Sequence, residues 1–148
     1  ARRNAVRDIF AHSQAEALAE REGKEAAAYA RLKLAGLDDA PHHIAVFSME
    51  DPEQGRGLGR RTMPETTVWS TVMAIHTFWL AGAARGVGVG WVSILEPASV
   101  HRALESPASW RFIAYLCVGY PSERHDTPEL ERLGWERRQQ ACREWVRR

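Results

Sequence analysis

The chain has little of what marks several large functional classes. Two cysteines, Cys117 and Cys142, stand in 148 residues, with no Cys-x-x-Cys pair and no metal spacing. A disulfide framework, a zinc ribbon and a thioredoxin-like redox centre are therefore excluded. The two thiols suit a reducing compartment, with a single bridge between them as the alternative. Charge of one sign is also lacking: Lys and Arg number 20 against 19 Asp and Glu, a net charge of +1. That balance does not indicate a basic nucleic-acid surface. No apolar run approaches the roughly 20 residues of a membrane span. The N-terminus, Ala1-Arg2-Arg3-Asn4, has no apolar segment of the kind a secretory signal carries. These absences predict a cytoplasmic protein that neither spans a membrane nor binds nucleic acid.

What remains is ordinary globular material, 45% apolar and 26% charged, of a length that forms one domain over residues 1–148. Residues from about Ala1 to Leu34 are rich in Ala, Glu, Arg and Lys, with Val6, Ile9, Phe10, Leu18, Tyr29 and Leu32 as apolar anchors. They read as one long helix or a helix pair broken near Gly23, stopped by Gly36 and Pro41. Ile44-Ala45-Val46-Phe47 reads as a short buried strand. The segment Asp51–Met63 is long for a connection in a compact domain. Its Gly55-Arg56-Gly57-Leu58-Gly59-Arg60-Arg61 core suits a solvated loop, an anion contact or a lid.

From Pro64 onward Val68, Trp69, Val72, Ile75, His76, Trp79, Leu80 and Ala83 recur at three- and four-residue steps. This predicts a deeply buried helix, capped by Gly86, with His76 as a satisfied core histidine. Gly86-Val87-Gly88-Val89-Gly90 then runs into a strand, Trp91-Val92-Ser93-Ile94-Leu95, followed by a short helix to about Leu104. Phe112–Gly119 is a continuous apolar run that suits a buried sheet strand. Alternating helices and strands indicate an α/β or α+β sandwich.

Alternate glycines strip one face of an extended chain, so a flat group can lie against it. The lone hydroxyl of Ser93 then stands at the strand end, where open sheets place ligand contacts. The alternative is a tight helix-to-strand connection in which the glycines only permit positive φ. Neither glycine run is a recognised phosphate motif. The first lacks a following Lys-Ser or Lys-Thr pair, and the second precedes its strand instead of following one. The six histidines lack short-spaced partners, so no metal site is expected. Ser93 lies outside a Gly-x-Ser-x-Gly elbow, which argues against a hydrolase triad with His101. In the tail, Trp135 with Arg137 and Arg138 offers a phosphate contact, or else a C-terminal helix clasps a partner through Trp145.

Several segments together resemble one family. They include Leu32-Lys33-Leu34-Ala35-Gly36, Ala40-Pro41, Gly57-Leu58-Gly59-Arg60, Met63-Pro64-Glu65-Thr66, Ala74-Ile75-His76-Thr77, Gly88-Val89-Gly90-Trp91-Val92-Ser93-Ile94 and Val118-Gly119-Tyr120-Pro121. Over residues 25 to 135 the chain resembles the 5,6-dimethylbenzimidazole synthases, the flavin-consuming branch of the nitroreductase-like flavoproteins. The resemblance implies an α+β, nitroreductase-like sandwich with a central mixed sheet flanked by helices, forming an intertwined homodimer. It implies FMN at the subunit interface, consumed in its reduced form with molecular oxygen, and a flavin reductase to supply it. The products would be 5,6-dimethylbenzimidazole, the lower ligand of vitamin B12, and erythrose 4-phosphate. The alternative is a conventional FMN-dependent NAD(P)H oxidoreductase acting on nitroaromatics or a cobalt-corrinoid.

Among the residues, the resemblance makes Ser93 the catalytic-site hydroxyl beside the reactive edge of the flavin. Gly90, Trp91 and Val92 would supply backbone contacts, Ala30 and Leu32 would line the ring, and Arg138 would reach the phosphate. Met63 to Thr66 would help enclose the site. The family's arginine-rich phosphate motif with its catalytic aspartate, and its Pro-Ser-Val-Gly segment, have no counterpart here. The expectation is that they lie upstream of Ala1.

Overall fold

The computed structural model describes residues 1–30 and 34–137. The chain opens with α1 (Arg2–Ala19), α2 (Gly23–Tyr29) and the short α3 (Ala35–Asp39). Strand β1 (His42–Met49) follows, then α4 (Thr66–Ala83), β2 (Gly88–Val92), α5 (Pro97–Leu104), β3 (Trp110–Gly119) and α6 (Glu129–Arg132). The N-terminal region is thus a helix pair, with Gly23 at φ +57° opening the second member. Gly36 does not stop the pattern but lies inside α3.

The sheet runs β1-β3-β2 and both ladders are antiparallel. Among the described residues it is therefore not mixed. The longest apolar run takes the middle: Ala114 to Val118 are all buried, as expected for a strand covered on both faces. Their side chains alternate. Tyr115 and Cys117 join Val6, Leu37, Val92, Leu95 and Val100 in a core under α1, α3 and α5. Ala114, Leu116 and Val118 join Ile75 and Val89 in a second core under α4.

Helix α4 departs from its expected burial. Only Ile75 is buried, whereas Met73 is 69% exposed and Leu80 58%. His76 is exposed rather than a core residue. The helix is apolar nearly all round, but the three-stranded sheet covers only one side of it. Trp69, Phe78 and Trp79 are likewise exposed among the described residues. An apolar groove of about 230 Å³ between Ile44, Val46, Phe78 and Leu116 continues that surface. No helix among the described residues is long and apolar enough to cross a membrane.

Candidate functional site

The glycine run divides by role. Gly86, at φ +74°, ends α4 in the left-handed conformation, with the Val87 N–H donating to the Gly82 carbonyl. Gly88 and Gly90 are not at positive φ. They lie within β2 rather than ahead of it, so in those two the missing side chain is what counts. Val89 and Trp91 face α4, leaving Gly88 and Gly90 on the α3 side of the sheet. A Cβ on Gly90 would meet nothing closer than the Cys117 carbonyl at 3.8 Å.

A groove of about 490 Å³ opens over this bare surface, walled by Ala35, Gly36 and Asp39 of α3 and floored by Gly90 and Cys117. Its rim carries Tyr120, which is 82% exposed. On the other side of α3 lie an apolar pocket of about 300 Å³, lined by Phe10, Tyr29, Leu34, Ile94 and Leu130, and a wider groove containing Arg7, Ala30 and Asp38. Phe10 and Leu34 line both. Ala30, a predicted contact, lies in the wider groove, and the apolar pocket beside it holds Ile94, the residue after Ser93.

Ser93 follows the last residue of β2 and is exposed. Its hydroxyl has no hydrogen-bond partner among the described residues. The turn after it is firmly set. Leu95 is buried, and the Glu96 carboxylate accepts from the N–H groups of Ala98 (2.8 Å) and Ser99 (2.6 Å) at the start of α5. Pro97 sits in the first turn, where its missing N–H costs nothing. Bonds from the Ser99 side chain and from both backbone N–H groups hold the Glu96 carboxyl below its ordinary range. Gly90 lies in the groove floor, but Trp91 and Val92 turn their side chains into the two cores. Only their backbone is available to a ligand. Because β2 is a sheet edge, every second backbone group on its outer side faces away from β3.

Helix α3 is held by side chains that sequence reading passed over. Arg3 donates from Nη2 to the Ala40 carbonyl (2.8 Å), and Arg7 donates to the Leu37 and Asp38 carbonyls. Arg7 also pairs with the Asp38 carboxylate at 3.0 Å. These cations meet the carbonyl end of α3, where the helix dipole favours positive charge. Beneath it, His43 bridges the Ala40 carbonyl (3.1 Å) and the Tyr115 hydroxyl (3.0 Å). Burial pushes the Cys117 thiol up from its ordinary value, so it lines the groove as a neutral group. The signal for this arrangement is long-range: β1 pairs with β3, opposing His43 to Cys117.

Other predicted contacts lie elsewhere. Leu32 and Arg138 fall outside the described residues, as do Cys142 and Trp145. Trp135 packs against the Tyr29 ring at 6.1 Å, and the Arg21 guanidinium lies 4.2 Å from that ring's centre. Its aromatic surface is thus used within the chain. In the Asp51–Met63 loop Arg60 is tied to Asp51 (2.7 Å) and the Pro52 carbonyl. Neither that loop nor Met63–Thr66 lines the grooves around α3. No three His, Cys, Asp or Glu side chains gather into a metal site among the described residues.

Comparison with known proteins adds names to this geometry. The family model described as the nitroreductase family matches residues 2–120. The chain is 56% identical over 138 residues to the 5,6-dimethylbenzimidazole synthase of Rhodospirillum rubrum, an alignment covering 93% of this chain and 65% of that one. It is 51% identical over 126 residues to the protein of the same name from Rhodobacter capsulatus, covering 85% and 60%. The chain thus spans under two thirds of the length of these relatives. Among solved structures, oxidised iodotyrosine deiodinase bound to FMN and 3-iodo-L-tyrosine superposes with a TM-score of 0.64 at 19% identity, over 98% of this chain and 71% of that one. A nitroreductase family protein from Clostridium novyi NT gives 0.51 at 23%, over 71% and 54%. At such identities the two structures bear on the fold alone.

Proposed function

Because the chain belongs to the nitroreductase family, we propose that it acts on FMN, fragmenting the reduced flavin aerobically to 5,6-dimethylbenzimidazole and erythrose 4-phosphate. The observation that carries this reading is the 56% identity to the Rhodospirillum rubrum synthase across 93% of the chain. The fold by itself would not, since one fold hosts many chemistries.

The grooves around α3 fit the ring of a flavin. The bare face of Gly88 and Gly90 admits a planar group, and the apolar pocket beside Ile94 suits its hydrocarbon edge. Arg7, which lines the wider groove, is already paired with Asp38, so the fit is to the ring rather than to the phosphate. Reduced flavin, when bound, supplies the electrons that activate molecular oxygen. The residues of this chain bind and orient. Ser93 donates its unused hydroxyl to the ring edge, and the firm turn at Glu96 keeps that donor in place. The backbone of Gly90, Trp91 and Val92 offers edge-strand N–H and C=O groups, and Ala30 shapes the entry. Leu32 and Arg138 complete the proposed contacts, the latter at the phosphate.

The working form in this reading is a cytoplasmic homodimer fed by a flavin reductase. The uncovered apolar side of α4 supports a partner subunit, since patches of that kind mark interfaces. The test mixes the protein anaerobically with photoreduced FMN, admits air, and follows small molecules by liquid chromatography with mass detection. A dimethylbenzimidazole peak that grows as flavin disappears is expected. Full recovery of oxidised FMN, with flavin bound, would replace this reading with a conventional NAD(P)H oxidoreductase.

A further inference from the structure

We propose that His43 is a positioning residue for the glycine-floored groove: as the neutral Nε2–H tautomer it ties the Ala40 carbonyl, just past α3, to the Tyr115 hydroxyl on β3, and so sets where α3 stands over Gly90. The proposal takes only its ligand, FMN, from the function proposed above.

The tautomer follows from the partners. A carbonyl oxygen only accepts, so the His43 nitrogen 3.1 Å from Ala40 must carry the hydrogen. The other nitrogen, 3.0 Å from Tyr115, then accepts the phenol proton. Tyr115 is 3% exposed, and no other hydrogen bond of its hydroxyl is seen among the described residues. A second proton on the imidazole would force the phenol to accept, leaving its own hydrogen buried and unpartnered.

The charges nearby select the same form. On α1 are Arg3 and Arg7, on α3 Asp38 and Asp39, on β1 His42, and on β3 Tyr115 and Cys117. Asp38 is taken up by Arg7. Burial, and after it the Arg3 charge, lower the His43 pKa; burial likewise raises that of Tyr115. Both groups therefore stay neutral where a free imidazole begins to charge.

What His43 holds is one wall of the groove. Ala40 and Asp39 line it together with Gly90 and Cys117, and Arg3 grips the same Ala40 carbonyl from above. Loss of the lower tie leaves the Ala40 carbonyl held by Arg3 alone.

The test compares wild type with His43→Leu and Tyr115→Phe. Hydrogen exchange is read at the Leu37 and Ala40 amides, imidazole tautomers by nitrogen-15 NMR, and FMN binding by fluorescence across pH. In the wild type, His43 shows the Nε2–H tautomer, and FMN affinity falls on acidification only as His43 protonates. His43→Leu speeds exchange at the two α3 amides and weakens FMN at least tenfold. Tyr115→Phe keeps the ring packing, removes the phenol donor, and moves the acid limb of FMN binding to higher pH. A wild-type Nδ1–H tautomer would overturn the proposal. So would unchanged α3 exchange in a folded His43→Leu protein or, should that variant not fold, an unmoved acid limb in Tyr115→Phe. If the wild type binds no FMN, the flavin reading falls. The tautomer and the α3 exchange, in His43→Leu or in Tyr115→Phe, then decide the positioning role without it.

Discussion

Gly36 and Cys117 meet where α3 crosses β3, so closely that a Cβ on Gly36 would stand 3.3 Å from the Cβ of Cys117. The helix rests on the sheet more closely than a Cβ at this position would ordinarily sit. In Gly36→Ala, better helix propensity returns about 0.5–1 kcal/mol, while the new methyl lifts α3 by a few tenths of an ångström. We expect a urea midpoint near that of wild type together with weakened FMN binding in a fluorescence titration. Unaltered affinity would show that the height of α3 does not matter.

Gly90 tests the bare face from the other side. Its added Cβ would make only ordinary contacts, the closest at 3.8 Å. Gly90→Ala should therefore change stability by no more than about 0.5 kcal/mol. Gly90→Leu should fold as well yet show no flavin binding, because its side chain occupies the groove. Retained binding in a folded Gly90→Leu protein would place the ring elsewhere.

Ser93→Ala removes one exposed hydroxyl with no partner among the described residues, so the fold should not notice. A hydrogen bond worth about 1.4 kcal/mol to the ring corresponds to about a tenfold loss in flavin consumption. Sedimentation should give an unaltered oligomeric state. Equal loss of assembly and consumption would make the serine structural.

On α4, Met73 and Leu80 lie two helical turns apart on the uncovered side. The pair Met73→Glu and Leu80→Glu should leave the far-ultraviolet dichroism intact and convert a dimer to a monomer in analytical ultracentrifugation. A wild type that is already monomeric at working concentration would remove the partner-subunit reading.

Glu96 carries a pH dependence with a definite sign. Its folded carboxyl lies below the ordinary value, so the folded state takes up its proton later than the unfolded state does. The stabilisation is present above the unfolded value and is lost as pH falls through the folded one. Thermal melts near neutral pH should place Glu96→Gln below wild type, with the gap closing only as pH falls below the ordinary glutamate range. A gap that stays constant would mean the cap acts without its charge.

Much of this was legible in the chain. An uninterrupted apolar run announced β3 as a central strand, Gly86 closed α4, and Pro97 opened α5, because each is a local rule acting over a few residues. The stripped face of β2 was legible too, although sequence alone left open whether the glycines served positive φ; the structure assigns that role to Gly86 and not to Gly88 or Gly90. The exposure of α4 was not legible, since an all-round apolar pattern says that a helix needs cover without saying whose. Nor was the His43–Tyr115 bond, whose partners are 72 residues apart and meet only through strand pairing. Helix α3, five residues long and containing a glycine, is set by tertiary clamps more than by propensity.

The order β1-β3-β2 also bears on how the chain emerges during synthesis. The middle strand is made last: β1 ends at Met49, β2 at Val92, and the partner of both begins only at Trp110. Neither outer strand can find its neighbour until that segment leaves the ribosome, at about 5–20 residues per second. During this wait of a few seconds α4, the most apolar helix, is already outside and lacks even the sheet that covers one side of it in the finished subunit. Nascent chains of this protein are accordingly most in need of a chaperone between the release of α4 and the arrival of β3.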